Sequence, residues 1–255
     1  MSKSLPMPVN PLLVVFTGAG LSAESGIPTF RMGADALWEG HRIEEVCDFT
    51  TWKRNRNAVH AFYNKRRLAA AVAEPNAAHY ALARWQSQWG ADRVVLMTQN
   101  VDGLLERAGA SDVCHLHGRL DWMLCTACSH KWHVGPVEWN CHTDRCPHCN
   151  SVRGVKPDVV FFGEMAPEYD KLHSLVRSLR SVDSALVMGT SCQVVPFDVL
   201  LSKSRCWNGL NSLNPIEEMG DRVLVFDMVL GMPATEAVVA GGKLEVILEE
   251  RMRSF

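Results

Sequence analysis

Short, unbroken apolar runs recur along this chain at wide intervals, each ending in polar or turn-forming residues. PLLVVFT (11–17), RVVLMT (93–98), DVVFFG (158–163), ALVMGT (185–190) and DRVLVFD (221–227) read as strands buried on both faces. A strand covered on one face only would alternate polar and apolar positions instead. Strands of this kind, far apart in sequence, predict crossover connections and therefore an α/β fold, a Rossmann-like parallel sheet with helices on both faces. Between the first two runs, residues 58–89 are rich in Ala, Leu and Arg and predict two helices, broken at Pro75. From about Asp121 to Arg153 periodicity gives way to Cys, His, Trp and polar residues, so this insertion needs something other than an apolar core to hold it. No internal repeat or low-complexity tract interrupts the pattern.

Composition narrows the class. With 255 residues, 47% of them hydrophobic, the chain can build one sizeable core and a smaller satellite, and is too apolar for disorder. The opening MSKSLPMPVN is polar, and no apolar run nears the roughly 20 residues that cross a bilayer, so a soluble cytoplasmic protein without membrane contact is expected. A net charge of -2 argues against direct nucleic-acid binding. The basic clusters KRNR (53–56) and KRR (65–67) read as solvated helix faces. Nine cysteines, an odd number without a secretory leader, read as reduced thiols available to a metal.

Four of them have metal-ligand spacing. Cys125-x2-Cys128, then 17 residues, then Cys146-x2-Cys149 predicts one structural Zn2+, because four thiolates complete a tetrahedron and leave no position for water. Such a metal would replace the core this insertion lacks. His130, His133, Cys141, His142 and His148 rank as non-ligands, and a DNA-reading finger would have only Lys131, Arg145 and Arg153 to offer phosphate.

The first run ends in GAGLSA (18–23), a G-x-G-x-x-[GA] pattern placed where a strand should turn into a helix. On this reading Gly18 permits the turn, Gly20 admits a pyrophosphate to backbone N–H groups, and Ala23 packs a helix on the sheet. A glycine turn without ligand stays open on this motif alone. No acidic residue ends a strand about 20 residues on, since Asp35 lies in MGADAL, so the site is not an ordinary dehydrogenase one.

Further along come GAGLSAESGIPTFR (18–31), TQNVDGLLERAG (98–109), HLHG (115–118), KPDVVFFGE (156–164) and MGTSCQVVPF (188–197). In these motifs and their order the chain resembles the sirtuin (Sir2) family over roughly residues 12–200. The resemblance implies a single catalytic unit over 1–255. Its large domain would comprise approximately 8–35, 91–120 and 155–255, and its small domain the helical insertion 36–90 with the zinc module 121–154. It also implies NAD consumed as co-substrate. The acyl-lysine carbonyl oxygen would attack C1' of the nicotinamide ribose, nicotinamide would leave, and the acyl group would pass to ADP-ribose as 2'-O-acyl-ADP-ribose.

Residue by residue, the resemblance makes His117 the catalytic base, with Asn100 and Asp102 holding the nicotinamide and ribose side and Gln99 the ribose. Gly18, Ala19, Gly20, Ser22, Ala23, Thr29, Phe30 and Arg31 would form the cofactor loop. Gly189, Thr190 and Ser191 would meet the adenosine portion, with Asn214 and Met232 at the adenine end. Phe162, Gly163, Glu164 and Val194 would flank an acylated-lysine peptide that adds as a strand. A monomer is expected.

Tyr63 and Arg66, three residues apart in AFYNKRR, project from one helix face and resemble the pair that marks class III, desuccinylase-type members. A guanidinium and a phenol suit the carboxylate of a succinyl or malonyl chain, with acetyl also accepted. The residues depart from the family at Leu105, His115 and Phe197 and across 203–218. ADP-ribosyl transfer and a non-catalytic NAD sensor remain alternatives.

Overall fold

The computed structural model describes residues 10–29, 37–38 and 40–253. In chain order it forms β1 (Leu13–Thr17), β2 (Leu37–Trp38), β3 (His41–Arg42), α1 (Ile43–Val46), α2 (Arg56–Val72), α3 (Ala77–Trp89), β4 (Val94–Thr98), α4 (Leu104–Arg107), β5 (Cys114–His115) and β6 (Gly118–Cys125). There follow β7 (Lys131–His133), β8 (Val155–Val159), α5 (Tyr169–Ser178), β9 (Ser184–Met188), α6 (Phe197–Leu201), β10 (Trp207–Ser212), α7 (Pro215–Met219), β11 (Met228–Gly231), α8 (Ala234–Ala237) and α9 (Lys243–Arg251). Among the described residues no helix is long and apolar enough to cross a membrane.

Six strands make one sheet, ordered β11-β10-β9-β1-β4-β5, and all its pairings are parallel. The unbroken apolar run of β1 serves both faces. Leu13 and Val15 join a cluster with Leu82, Trp85 and Leu248 of α3 and α9, whereas Val14 and Phe16 join Leu172, Val176 and Phe197 of α5 and α6. The chain crosses from β4 on one side of β1 to β9 on the other. The strands stay paired to their carboxyl ends, but the connections that leave those ends run to opposite sides of β1, and a crevice opens above them, the topological switch point of such sheets.

Two expected strands belong elsewhere. The run 158–163 contributes only Asp158 and Val159 to a strand, β8, and that strand lies in a separate antiparallel sheet, ordered β7-β6-β8. Phe161 instead stacks on Tyr63 at 5.6 Å, and Phe162 pairs with the backbone at Cys47 and Phe49. The run 221–227 is a 3-10 helix over Gly220–Val225. Its Val223, Val225 and Phe226 pack on the core beneath α6, and the neighbouring edge position falls to β11. The expected runs leave out three strands of this sheet, β5, β10 and β11, and of these β10 is the interior one, whose WNGLNS hides buried Asn208, Asn211 and Ser212. Each has an internal partner: Cys206 Sγ donates to Asn208 Oδ1, Asn211 Nδ2 donates to Met232 O, and Ser212 Oγ donates to Glu218 Oε2. Satisfied this way, polar side chains sit in a central strand without the cost of bare burial.

The helical insertion divides as expected, with Pro75 in the gap between α2 and α3. Asn76 restarts the chain by accepting from the backbone N–H groups of Ala78 and His79, while His79 Nδ1 accepts from Asn76 N, a reciprocal cap. The KRR cluster is not a solvated face throughout. Arg67 is fully buried, donating to Leu120 O and Val137 O, and so ties α2 to the Cys-rich segment. Burial lowers its pKa to about 10.

Candidate active-site cleft and metal centre

The loops following β1, β4 and β9 meet at the crevice. The glycines of the first loop are required there for a reason other than a turn. Gly18 is extended (φ -133, ψ -173), and the chain enters two short 3-10 turns, Ala19–Leu21 and Ala23–Ser25, instead of a helix. A Cβ on Gly18 would lie 2.7 Å from Thr190 Cβ, and one on Gly20 2.8 Å from Gly189 Cα. Gly189 itself has φ +64. Bare backbone on both sides lets Gly20 N donate to Gly189 O at 2.8 Å, which locks the β1 and β9 loops together. Ala23 is exposed at the cleft and does not pack on the sheet.

Above this seam is a cleft of about 970 Å³. Its lining includes most of the expected cofactor positions: Gly18, Ala19, Gly20, Ser22, Ala23 and Thr29 from the first loop, Gln99, Asn100 and Asp102 from the second, and Gly189, Thr190 and Ser191 from the third. Asn214 and Met232, which follow β10 and β11, also line it. His117, which follows β5 at the opposite edge of the sheet, lines it too, as do Phe162, Gly163, Glu164 and Val194. Phe30 and Arg31 lie outside the described residues.

At its floor the polar groups form a closed network. Ser22 Oγ donates to Asp102 Oδ2 at 3.0 Å and accepts from Asn100 Nδ2 at 3.0 Å. His79 lies 3.3 Å from the same hydroxyl through Nε2. Because His79 Nδ1 already accepts from Asn76 N, Nε2 carries the proton and donates. Burial lowers the His79 pKa to about 4, so the ring is neutral. Burial raises the pKa of Asp102, against which the Leu104 N–H and the Ser22 hydroxyl act as stabilising donors. The result is a rigid, pre-oriented carboxylate and carboxamide, the kind of groups that fix hydroxyls and an amide.

His117 stands at the end of β5 in the HLHG turn. Its Nδ1 lies 3.1 Å from Gln99 O, a carbonyl that can only accept, so Nδ1 bears the proton and Nε2 offers a lone pair. Burial lowers its pKa, the Gln99 carbonyl opposing the shift, and the neutral imidazole is the form a base needs. Tyr169, on α5, meets Nε2 at 2.9 Å. Tyr169 carries no motif and escaped the sequence reading, as did Cys47 and Asn211, which also line the cleft.

Tyr63 reaches the cleft fully buried and donates its hydroxyl to Cys47 Sγ at 3.3 Å. Arg66 is outside the lining. Its guanidinium lies over the Phe62 ring, 3.1 Å from the centroid, and donates to Phe62 O. The helix therefore brings the phenol to the cleft and packs the half-buried guanidinium against Phe62 beside it.

The four cysteines converge as their spacing requires. Their Sγ atoms all lie within 4.8 Å of one another, with Cys125–Cys149 at 3.6 Å and Cys128–Cys146 at 3.7 Å. A tetrahedron with Zn–S bonds of about 2.3 Å places its sulfurs about 3.8 Å apart, so the donor set fits one Zn2+. The centre lies at the end of β6, against Met123, Trp139 and Val155. His130 and His148 stack on each other beside it, outside the quartet.

A parallel sheet with a dinucleotide-sized cleft at its switch point, and a neutral imidazole in that cleft, defines a dinucleotide-using enzyme. Comparison with known proteins gives the family. The Sir2 family model matches residues 18–196. An NAD-dependent protein deacylase of Helicobacter hepaticus is 40% identical over 245 residues, covering 89% of this chain and 94% of that protein. One from Escherichia coli K12 is 44% identical over 192 residues, 73% of this chain and 65% of that protein. Among solved structures, a Sir2 homologue in complex with NAD superposes with TM-score 0.77 at 32% identity, covering 96% of this chain and 91% of the other. A Sir2 homologue variant in complex with 2'-O-acetyl ADP ribose gives 0.76 at 33%, covering 95% and 92%. The chain belongs to the Sir2 family.

Proposed function

We propose that this NAD-dependent protein deacylase acts on lysine side chains that carry an acidic acyl group, with His117 as the base. The observation that carries the reading is the cleft itself, lined by the His117 imidazole and with the Asn100–Ser22–Asp102 network at its floor. Bound NAD supplies an electrophilic ribose carbon with nicotinamide as its leaving group. Asn100 and Asp102 orient the nicotinamide and ribose side, and His117 Nε2 accepts a proton from a ribose hydroxyl. Gly189, Thr190 and Ser191 take the adenosine portion, where the glycine seam lets backbone approach the ligand. Gly163, Glu164 and Val194 flank the peptide. The zinc centre has no open position and stays apart from the chemistry. A cytoplasmic location fits this reading, since a reducing milieu keeps four thiolates available to the metal.

For the acyl end, the buried Tyr63 hydroxyl supports an acidic chain, and Arg66 completes the pair by swinging from Phe62 toward the distal carboxylate. Acetyl-lysine offers nothing to that cation. Arg66→Met is expected to lower kcat/KM on a succinyl-lysine peptide by roughly 10- to 100-fold, the range for a hydrogen bond to a charged group, with a small effect on the acetyl form. Equal losses on both peptides would remove Arg66 from substrate recognition.

A further inference from the structure

We propose that Tyr169 is a positioning residue for the base: its hydroxyl caps His117 Nε2 in the free protein and gives up that lone pair when a substrate hydroxyl arrives. The proposal rests on the reading of His117 as base.

The hydrogen bonds leave one assignment. Gln99 O fixes the proton on Nδ1, so Nε2 can only accept, and Tyr169 must donate to it across 2.9 Å. Burial raises the pKa of the Tyr169 phenol, which keeps the donor proton in place at any working pH. The ring is held at the first turn of α5, where Tyr169 N donates to Ala166 O and His173 packs edge-on at 6.3 Å. Tyr169 also lines the cleft, so its hydroxyl reaches Nε2 from within the space that substrate would fill.

A single lone pair accepts one good hydrogen bond at a time. Tyr169 and a ribose hydroxyl therefore compete for the same atom. While Tyr169 holds it, the donor favours the neutral imidazole and fixes the ring plane, so the base waits in the correct tautomer. Tyr169 follows Glu164 by five residues, and Phe162, Gly163 and Glu164, proposed to flank the peptide, immediately precede the short segment that leads to it. A peptide laid there lies next to the stretch of chain that holds the cap.

Other ionisable groups stand on the elements around the imidazole: Asp102 after β4, His115 and Arg119 on either side of it in the chain, Asp158 and the Lys156–Glu164 pair on and after β8, and His173 on α5. Among the described residues, Tyr169 is the ionisable side chain that hydrogen-bonds to it.

The test is Tyr169→Phe, which keeps the ring and deletes the donor. Losing a donor to the neutral form raises the imidazole pKa. The acid limb of kcat/KM, which reports the free enzyme, should move to higher pH by roughly half to one unit. The plateau of kcat should change by no more than about twofold, because the cap is already released in the substrate complex. In parallel, the His117 titration in the free protein is followed by NMR and should move by the same amount. An unmoved NMR titration would overturn the cap while leaving the base assignment intact. A titration that moves under an unchanged kinetic profile would overturn the base assignment and the proposal with it.

Discussion

The parallel sheet and the Cys-rich sheet are both built of strands, yet they are stabilised by different means. In the first, β1, β4 and β9 bury apolar side chains on two faces against α3, α5, α6 and α9. In the second, β6–β8 share a cluster of six buried residues of which three are cysteines. Burial of apolar area yields roughly 25 cal/mol per Å², and the small cluster supplies little of it. What replaces it is a metal, together with cross-ties such as Arg67 to Leu120 O and Arg56 to Cys141 O. The contrast teaches where each half should fail.

Removing the metal breaks the comparison hardest. A structural zinc contributes on the order of 10 kcal/mol to the folding of a small module. Chelation, or Cys146→Ser, should expose the amides of β6, β7 and the loops between them to hydrogen exchange while those of β1, β4 and β9 stay protected. Equal loss of protection in both sheets would show that the two are one cooperative unit. Next in size, Leu186→Ala in the centre of β9 should cost about 2–5 kcal/mol and lower Tm without disturbing metal content.

The catalytic end gives the reverse signature. His117→Ala should lower deacylation by roughly 10²–10⁴-fold, the usual share of a general base, with Tm and zinc content unchanged. A smaller effect is expected from acid. His60 and His79 are both buried with pKa values lowered from 6.5 to about 4, chiefly by burial. The unfolded chain binds their protons first, so the stability they contribute is present above about pH 6.5 and lost as pH falls toward 4. Calorimetry across that window should show a falling Tm, and His79→Gln should flatten it. Last, Asn76→Ala removes the α3 cap and should cost about 1 kcal/mol.

The legible parts of the molecule were those where chemistry follows directly on an apolar run. GAG after β1, TQN after β4 and GTS after β9 sit at strand ends in the sequence and at one crevice in space, and the Cys spacing specified its own cluster. The parts that escaped have the opposite character. β10 carries buried amides satisfied by distant carbonyls, which no local pattern can announce. Residues 221–227 have the apolar content of a strand, but their side chains serve the core from a 3-10 turn. Tyr169 belongs to an ordinary amphipathic helix and acquires meaning only from what it faces. The glycines were correctly singled out, although their absent side chains matter for contact across the β1–β9 seam and not for a turn.

Gly118 joins the two halves one peptide bond from the His117 ring. It takes φ +80, and a side chain there would collide with the Asp158 carbonyl, so β6 begins at a fixed, side-chain-free elbow. The imidazole thus sits immediately before the sheet that holds the cysteine cluster, with a break in the β6–β8 register between Gly118 and Met123 separating the two. Base and metal module are neighbours in the chain with separate tasks: the metal orders its own sheet, and no atom of the metal centre enters the reaction.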